Sequence, residues 1–119
     1  MINIKILNDF KNMKISKKDL YDSLGDNLVT LIINNPVVIE SKDLIKMLHT
    51  YKNGDISIEK VLDWVNIIWF TELFDYNEDE NDSIASIMNK LEELDEDGQI
   101  LTSEGIDIYI QALENNQEI

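Results

Sequence analysis

The stretch LEELDEDGQILTSEG, residues 91–105, has acidic residues and a glycine in the order of a calcium-binding loop. The ligand positions of an EF-hand loop include 1, 3, 5 and 12, and a glycine at position 6 permits a sharp turn. With Gly98 at position 6, these ligands are Glu93, Asp95, Asp97 and Glu104. The spacing therefore raises the hypothesis of a calcium site.

Three departures from the motif argue against that site. Glu93 stands where the motif has aspartate, and its extra methylene pushes the carboxylate away from the loop centre. Leu101 occupies position 9, which is usually polar or water-bridging. Gly105 directly follows Glu104, where an apolar residue should anchor the second helix. The metal set is therefore an alternative, and we predict no cofactor.

A joint between two helices explains the same residues. Gly98 suits the left-handed position that closes a helix, and Thr102 or Ser103 can cap the next one. Glu104 then lies in the first turn, where its charge complements the helix dipole. The density of acids before Gly98 is left without a structural reason, since the end of a helix favours bases.

Other catalytic chemistry has little support in the sequence. The chain has no cysteine and a single histidine, His49, which is expected to face solvent or end a helix. It has no glycine-rich phosphate loop and no HExxH pair. We predict that the protein is not an enzyme. The missing cysteines fit a reducing compartment, so the expected location is cytoplasmic.

The net charge of -14 lies entirely in one part of the chain. Residues 1–71 hold nine acids and nine lysines, whereas residues 72–119 hold fifteen acids and only Lys90 as a base. Arginine, the best bidentate ligand for phosphate, is absent, so direct nucleic-acid binding is not expected. The charge favours a basic protein partner.

The acids around and within one predicted helix are the candidate partner-binding residues. They are Asp75, Glu78, Asp79, Glu80, Asp82, Glu92, Glu93, Asp95, Glu96 and Asp97. The run DYNEDENDS is normally a solvated loop, and its functional interpretation is a negatively charged epitope.

Apolar spacing predicts helices almost throughout. Ser41 and Ser57 suit the starts of two helices, and a further amphipathic stripe follows Ser83. The helix after Ser57 is apolar on most sides and is predicted to extend to Phe74 as the central helix. Its aromatic residues Trp64, Trp69, Phe70 and Phe74 are expected in the core rather than on a ligand platform.

The first forty residues allow two interpretations. Residues 2–13 favour a helix, although INIKIL alternates like a strand, and Ser16 with Asp19 resembles a capping box. NLVTLIINNP gives a further helix broken by Pro36, or a short strand together with VVIE. We predict an all-α fold, with residues 1–119 forming a single compact domain of five or six helices and residues 72–119 its acidic subregion.

No targeting signal is evident after Met1, and the longest apolar runs are too short to span a bilayer. We therefore expect a soluble protein without membrane contact.

The pattern from GDISIEKVLDWVN to LTSEGIDIYIQAL resembles the small acidic helical immunity proteins of bacterial toxin systems, including colicin D-like immunity proteins. The resemblance covers about residues 44–113. It implies a cytosolic inhibitor that binds a cognate toxin, often a nuclease, and blocks its active site or substrate groove. No binding residue of the family corresponds to a particular position in this chain.

Two rival functions remain open. One is a calcium-responsive EF-hand-like helical module that uses residues 93–104. The other is a non-enzymatic adaptor or regulatory protein whose acids only confer solubility.

Overall fold

Helices and one small sheet form the part of the chain that the structure describes. The computed structural model describes residues 4–25, 32–97 and 101–119. In these residues the helices are α1 (Ile4–Lys11), α2 (Lys17–Leu24), α3 (Ser41–Lys52), α4 (Ile58–Phe70), α5 (Asn81–Asp97) and α6 (Ser103–Glu114). The strands are β1 (Ile32–Ile39) and β2 (Glu72–Tyr76). The fold is therefore mostly helical, but the prediction of a purely α-helical fold is wrong.

The first two helices agree with the sequence. Residues 4–11 form α1, as the helical spacing favoured. The hydroxyl of Ser16 accepts a hydrogen bond from the Asp19 backbone N–H, and the Ser16 N–H donates to the Asp19 carboxylate, both at 3.1 Å. This reciprocal capping box starts α2. The hydrogen bond from the Ser16 N–H also lowers the pKa of Asp19.

The sheet pairs two strands that are distant in the sequence. Strands β1 and β2 run parallel, with Val37 opposite Phe74 and Ile39 opposite Tyr76. The strand alternative for the VVIE segment is thus confirmed, and the register is irregular between Ile32 and Val37, the stretch that contains Pro36. A proline cannot donate to the ladder, so such irregularity is expected around it. Helices α3 and α4 form the crossover that parallel pairing requires.

Helix α4 supplies much of the core but is shorter than predicted. The hydroxyl of Ser57 accepts from the Lys60 N–H at 3.3 Å and caps its start. The chain becomes extended at Thr71, so Leu73 and Phe74 belong to β2 and not to the helix. A β-branched, hydroxyl-bearing residue is a poor helix former, which agrees with an end at this position.

Trp64 joins α4 to α1 at the centre of the molecule. Its side chain is 1% exposed, and its indole N–H donates to the Lys11 carbonyl oxygen at 3.0 Å. This bond satisfies the polar group of a large buried ring. Buried apolar residues from all six helices and both strands belong to one hydrophobic cluster around it.

The second half of the chain packs against this core. Helix α6, capped by the Thr102 hydroxyl, packs against α3, and the Lys52 ammonium lies 2.6 Å from the Asp107 carboxylate. Helix α5 packs against α4 and begins at Asn81, so Ser83 lies inside it rather than before it. None of the helices in the described residues is both long and apolar enough to cross a membrane.

Candidate protein-binding surface

The ten acids that the sequence singles out lie at the two ends of α5. We call Asp75, Glu78, Asp79, Glu80 and Asp82, which precede or begin the helix, the leading acids. The trailing acids are Glu92, Glu93, Asp95, Glu96 and Asp97, in its last turns. At 1.5 Å of rise per residue, about 22 Å separates Asp82 from Asp97 along the helix axis. The acids therefore form two groups and not one continuous patch.

Four of the leading acids lie in, or directly after, a turn that hydrogen bonds hold in place. The Asn77 N–H donates to the Ile39 carbonyl oxygen at 2.8 Å, where β2 ends beside β1. The Asn77 side chain then accepts from the Asp79 N–H at 3.0 Å and begins a 3-10 turn, Glu78–Glu80, which leads into α5. The sheet thus determines where this acidic segment starts.

Two other helices hold the same turn in place. The Asn116 side chain, just beyond α6, donates to the Asp79 carbonyl oxygen at 3.0 Å, and its Oδ1 accepts from the Ser83 hydroxyl at 2.8 Å. The Ser41 N–H at the start of α3 donates to the Glu80 carboxylate at 3.2 Å. The backbone that carries the leading acids is therefore preorganised.

The leading acids are charged and lack cationic partners. Four are exposed and Glu80 is half-buried. None of the five forms a salt bridge with a residue that the structure describes. By contrast, described residues of the first 71 positions form five ion pairs with one another, and Lys52 forms a sixth with Asp107. The leading acids thus differ from many acids of the neutral part in pairing as well as in position.

The trailing acids lie in the last turns of α5, and the last turn of the helix contains no basic residue. Glu93 is exposed, and its carboxylate accepts from the Asn89 side chain at 3.3 Å. Burial raises the pKa of Tyr109 on α6, and the negative charge of Glu93 raises it further. The backbone of residues 95–97 is helical, and their side chains lie outside the described part of the structure.

The candidate calcium loop has the backbone of a helix over its first five positions. Helix α5 continues through Asp97, and positions two apart on an α-helix do not share a face. Glu93 and Asp95 therefore do not lie on the same side of α5. Gly98, the proposed helix stop, falls outside the described residues. Within the described part of the chain, no group of three acidic or histidine side chains is arranged to hold a metal ion.

An aromatic recess lies beside the first of the leading acids. This open cavity of about 140 Å³ is lined by Ile68, Trp69, Thr71, Phe74, Asp75 and Tyr76. Asp75 accepts a hydrogen bond on Oδ1 from the Tyr76 N–H at 3.1 Å. Burial raises the pKa of Tyr76 to about 12, so its phenol stays protonated at pH values at which an exposed tyrosine ionises.

The sequence did not reveal this recess. Trp64 and Phe74 are buried as predicted, but Trp69 is only half-buried and Phe70 is 53% exposed. Thr71 is the residue that could have indicated the recess. If the helix ends at Thr71, the aromatic residues before and after it no longer lie on one helical face.

Residues 10–64 form another part of the surface, where five lysines and three acids line two cavities. Two cavities of about 180 and 260 Å³ share Met13 and Lys60 in their walls. Lys17 lies 3.8 Å from Asp63 in the first, and Lys11 lies 3.8 Å from Asp43 in the second. His49 is exposed on α3 and lines neither cavity. The residues that line these two cavities therefore do not include a histidine that could act as an acid or a base.

No protein-family model, no curated protein and no solved structure matches this chain.

Proposed function

We propose that the protein is a binding inhibitor, an immunity protein that neutralises a cognate basic toxin of the nuclease type. The observation that carries this proposal is the set of leading acids, which are preorganised by three elements and have no cationic partner among the described residues. A basic partner would supply the missing counter-charges. The sequence resemblance to small acidic immunity proteins supports the same class.

The mechanism is competition for a phosphate-binding cleft. Nucleases attract nucleic acid with clusters of Lys and Arg, so carboxylates held on a rigid scaffold can occupy the same groups. Long-range attraction would also speed the encounter, because complementary fields raise association rates by about 10- to 1,000-fold. The exposed acids at both ends of α5 would then contact the rim of the cleft.

The test uses the product of the neighbouring gene as the candidate partner. We expect the purified chain to capture a basic protein encoded there and, at equal molar amounts, to abolish its nuclease activity. A variant with Glu78, Asp79, Glu93 and Glu96 changed to lysine should require a large excess for the same inhibition.

The matched control places four lysines on exposed acids outside α5 and the turn before it, at Asp55, Glu59, Glu104 and Glu114. It changes the net charge equally but leaves α5 intact. If both quadruple variants inhibited as well as the unchanged chain, the acids would serve solubility only, as in an adaptor protein. Capture of an acidic partner, or of none, would contradict the proposal.

A further inference from the structure

We infer that the aromatic recess at the end of α4 receives an arginine side chain from the basic partner. This inference rests on the proposed function, and it names the group that the leading end of the surface recognises. The recess lies where α4, β2 and the first leading acid meet.

The walls of the recess suit a cation with an apolar stem. The half-buried Trp69 and Tyr76 supply aromatic surface, and the core residues Ile68 and Phe74 lie beneath them. Aromatic faces attract cations through their ring quadrupole, and Trp is the strongest of the aromatic residues. The Asp75 carboxylate beside these residues has no cationic partner among the described residues, and an aliphatic ligand would not supply one.

Asp75 gives the recess a negative charge and an acceptor oxygen in a fixed position. Its side chain is exposed and makes no ion pair with a described residue. Oδ1 accepts from the Tyr76 N–H, whereas Oδ2 accepts from no described donor. The hydrogen bond to Oδ1 thus holds the carboxylate in place, and Oδ2 is available to accept hydrogen bonds from a ligand. Anions are disfavoured here, since Glu72 and Glu78 on either side are also exposed acids.

The planar shape of a guanidinium favours arginine over lysine. Its flat face can stack on an indole while its edge donates two parallel hydrogen bonds to a carboxylate, which the compact ammonium group of lysine cannot do. Phe70, next to Trp69 and 53% exposed, extends the apolar surface over which the methylene stem can lie. Aromatic and arginine anchors of this kind dominate many protein interfaces.

The test titrates the isotope-labelled full chain with N-acetyl-arginine-methylamide and follows it by NMR. We expect a saturable shift of the Trp69 indole N–H and the Tyr76 amide. The buried Trp64 indole, already bonded to Lys11, should not move. The corresponding lysine compound should bind about fivefold more weakly, since it lacks the second parallel hydrogen bond.

Asp75→Asn removes the charge but keeps an oxygen that can accept the Tyr76 N–H. We expect it to weaken binding of the arginine compound about tenfold, the effect of losing a charge-assisted hydrogen bond. Glu59→Gln, the matched control, removes the same charge from an exposed residue in the first turn of α4, at the other end of that helix from the recess, and should change binding less than twofold. Trp69→Leu, followed at the Tyr76 amide, should also weaken binding.

Two results would overturn the inference: no saturable shift at Trp69, or equal affinity in the unchanged chain and Asp75→Asn. If Trp69→Leu does not fold, the Asp75 comparison decides the question. Because the probe is a small molecule, the outcome is independent of any toxin. If the arginine compound binds but the chain inhibits no toxin, the arginine site stands and the proposed function is rejected. If the chain inhibits a toxin but does not bind the arginine compound, the proposed function stands and the arginine site is rejected.

Discussion

The two ends of α5 carry similar numbers of acids but stand in opposite relations to the helix. At the start, negative charges face the positive end of the helix dipole, and Glu80 also accepts a hydrogen bond from the first turn of α3. At the end, five acids lie where the dipole favours bases, and the last turn has none. The leading acids can therefore be explained in part by folding, whereas the trailing acids oppose it.

This difference affects how strongly each group of acids indicates a basic partner. The helix dipole explains in part why the leading acids lie at the start of α5, but it does not explain why they have no cationic partner among the described residues, which is the observation that carries the proposed function. An acidic group that destabilises its helix requires another reason, and binding to a basic partner provides one. The leading end has a separate argument in its aromatic recess, which the dipole does not explain.

The largest stability effect should come from neutralising each group in turn. Glu78→Gln with Asp79→Asn and Asp82→Asn should lower the free energy of unfolding, while Glu93→Gln with Glu96→Gln and Asp97→Asn should raise it. At about 0.3–1 kcal/mol for each charge near a helix end, we expect a difference of about 2 kcal/mol between the triple variants. Urea denaturation at low salt measures it.

The two triple variants are matched controls for each other, because each removes three negative charges. General relief of repulsion affects both equally and cancels in the difference. Equal shifts of the same sign would mean that net charge, and not position on the helix, determines stability.

The next effect concerns Glu80 alone. Glu80→Ala removes the acceptor of the Ser41 N–H and should lower the free energy of unfolding by about 1 kcal/mol, since the donor is left without its partner. Glu80→Gln keeps an acceptor oxygen and should lose less. Identical losses in the two variants would show that the hydrogen bond does not contribute.

The smallest effect is a change of pKa at the trailing end. Glu93→Gln should lower the pKa of Tyr109, because a negative charge disfavours formation of the phenolate and its removal reverses that effect. Tyr76, whose pKa of about 12 is due to burial alone, should not change. A pH titration of both phenols by NMR tests this, and an unchanged Tyr109 would place Glu93 too far from the ring.

The local features of this fold were predictable from the sequence. Ser16 and Ser57 cap their helices through backbone atoms only three residues away, and such contacts depend on short spacing. Thr102 likewise caps α6, one of the two residues that the sequence proposed. The Ser57 and Thr102 caps mark the starts of α4 and α6, the helices before and after the acidic segment from Asp75 to Asp97.

Strand β1 was one of two alternatives for its segment, but β2, the pairing of the two strands and the recess were not predictable, because they depend on contacts between distant residues. Val38 lies opposite Asp75 across the sheet, and no local pattern specifies that partnership. Because β2 begins at Glu72, α4 ends at Phe70. Of the aromatic residues in this stretch, Trp64 and Phe74 lie in the core and Phe70 lies on the surface. The short strand ELFDY has no regular alternation that would have distinguished it from a continued helix.

The most direct test of the central claim is the rate at which the chain associates with the basic partner at low salt. Stopped-flow measurements would compare the unchanged chain with the variant carrying lysine at Glu78, Asp79, Glu93 and Glu96. We predict that association slows by at least tenfold and that dissociation accelerates by a smaller factor, because exposed charges act mainly by steering the encounter. An unchanged association rate would contradict the assignment of α5 as the binding surface.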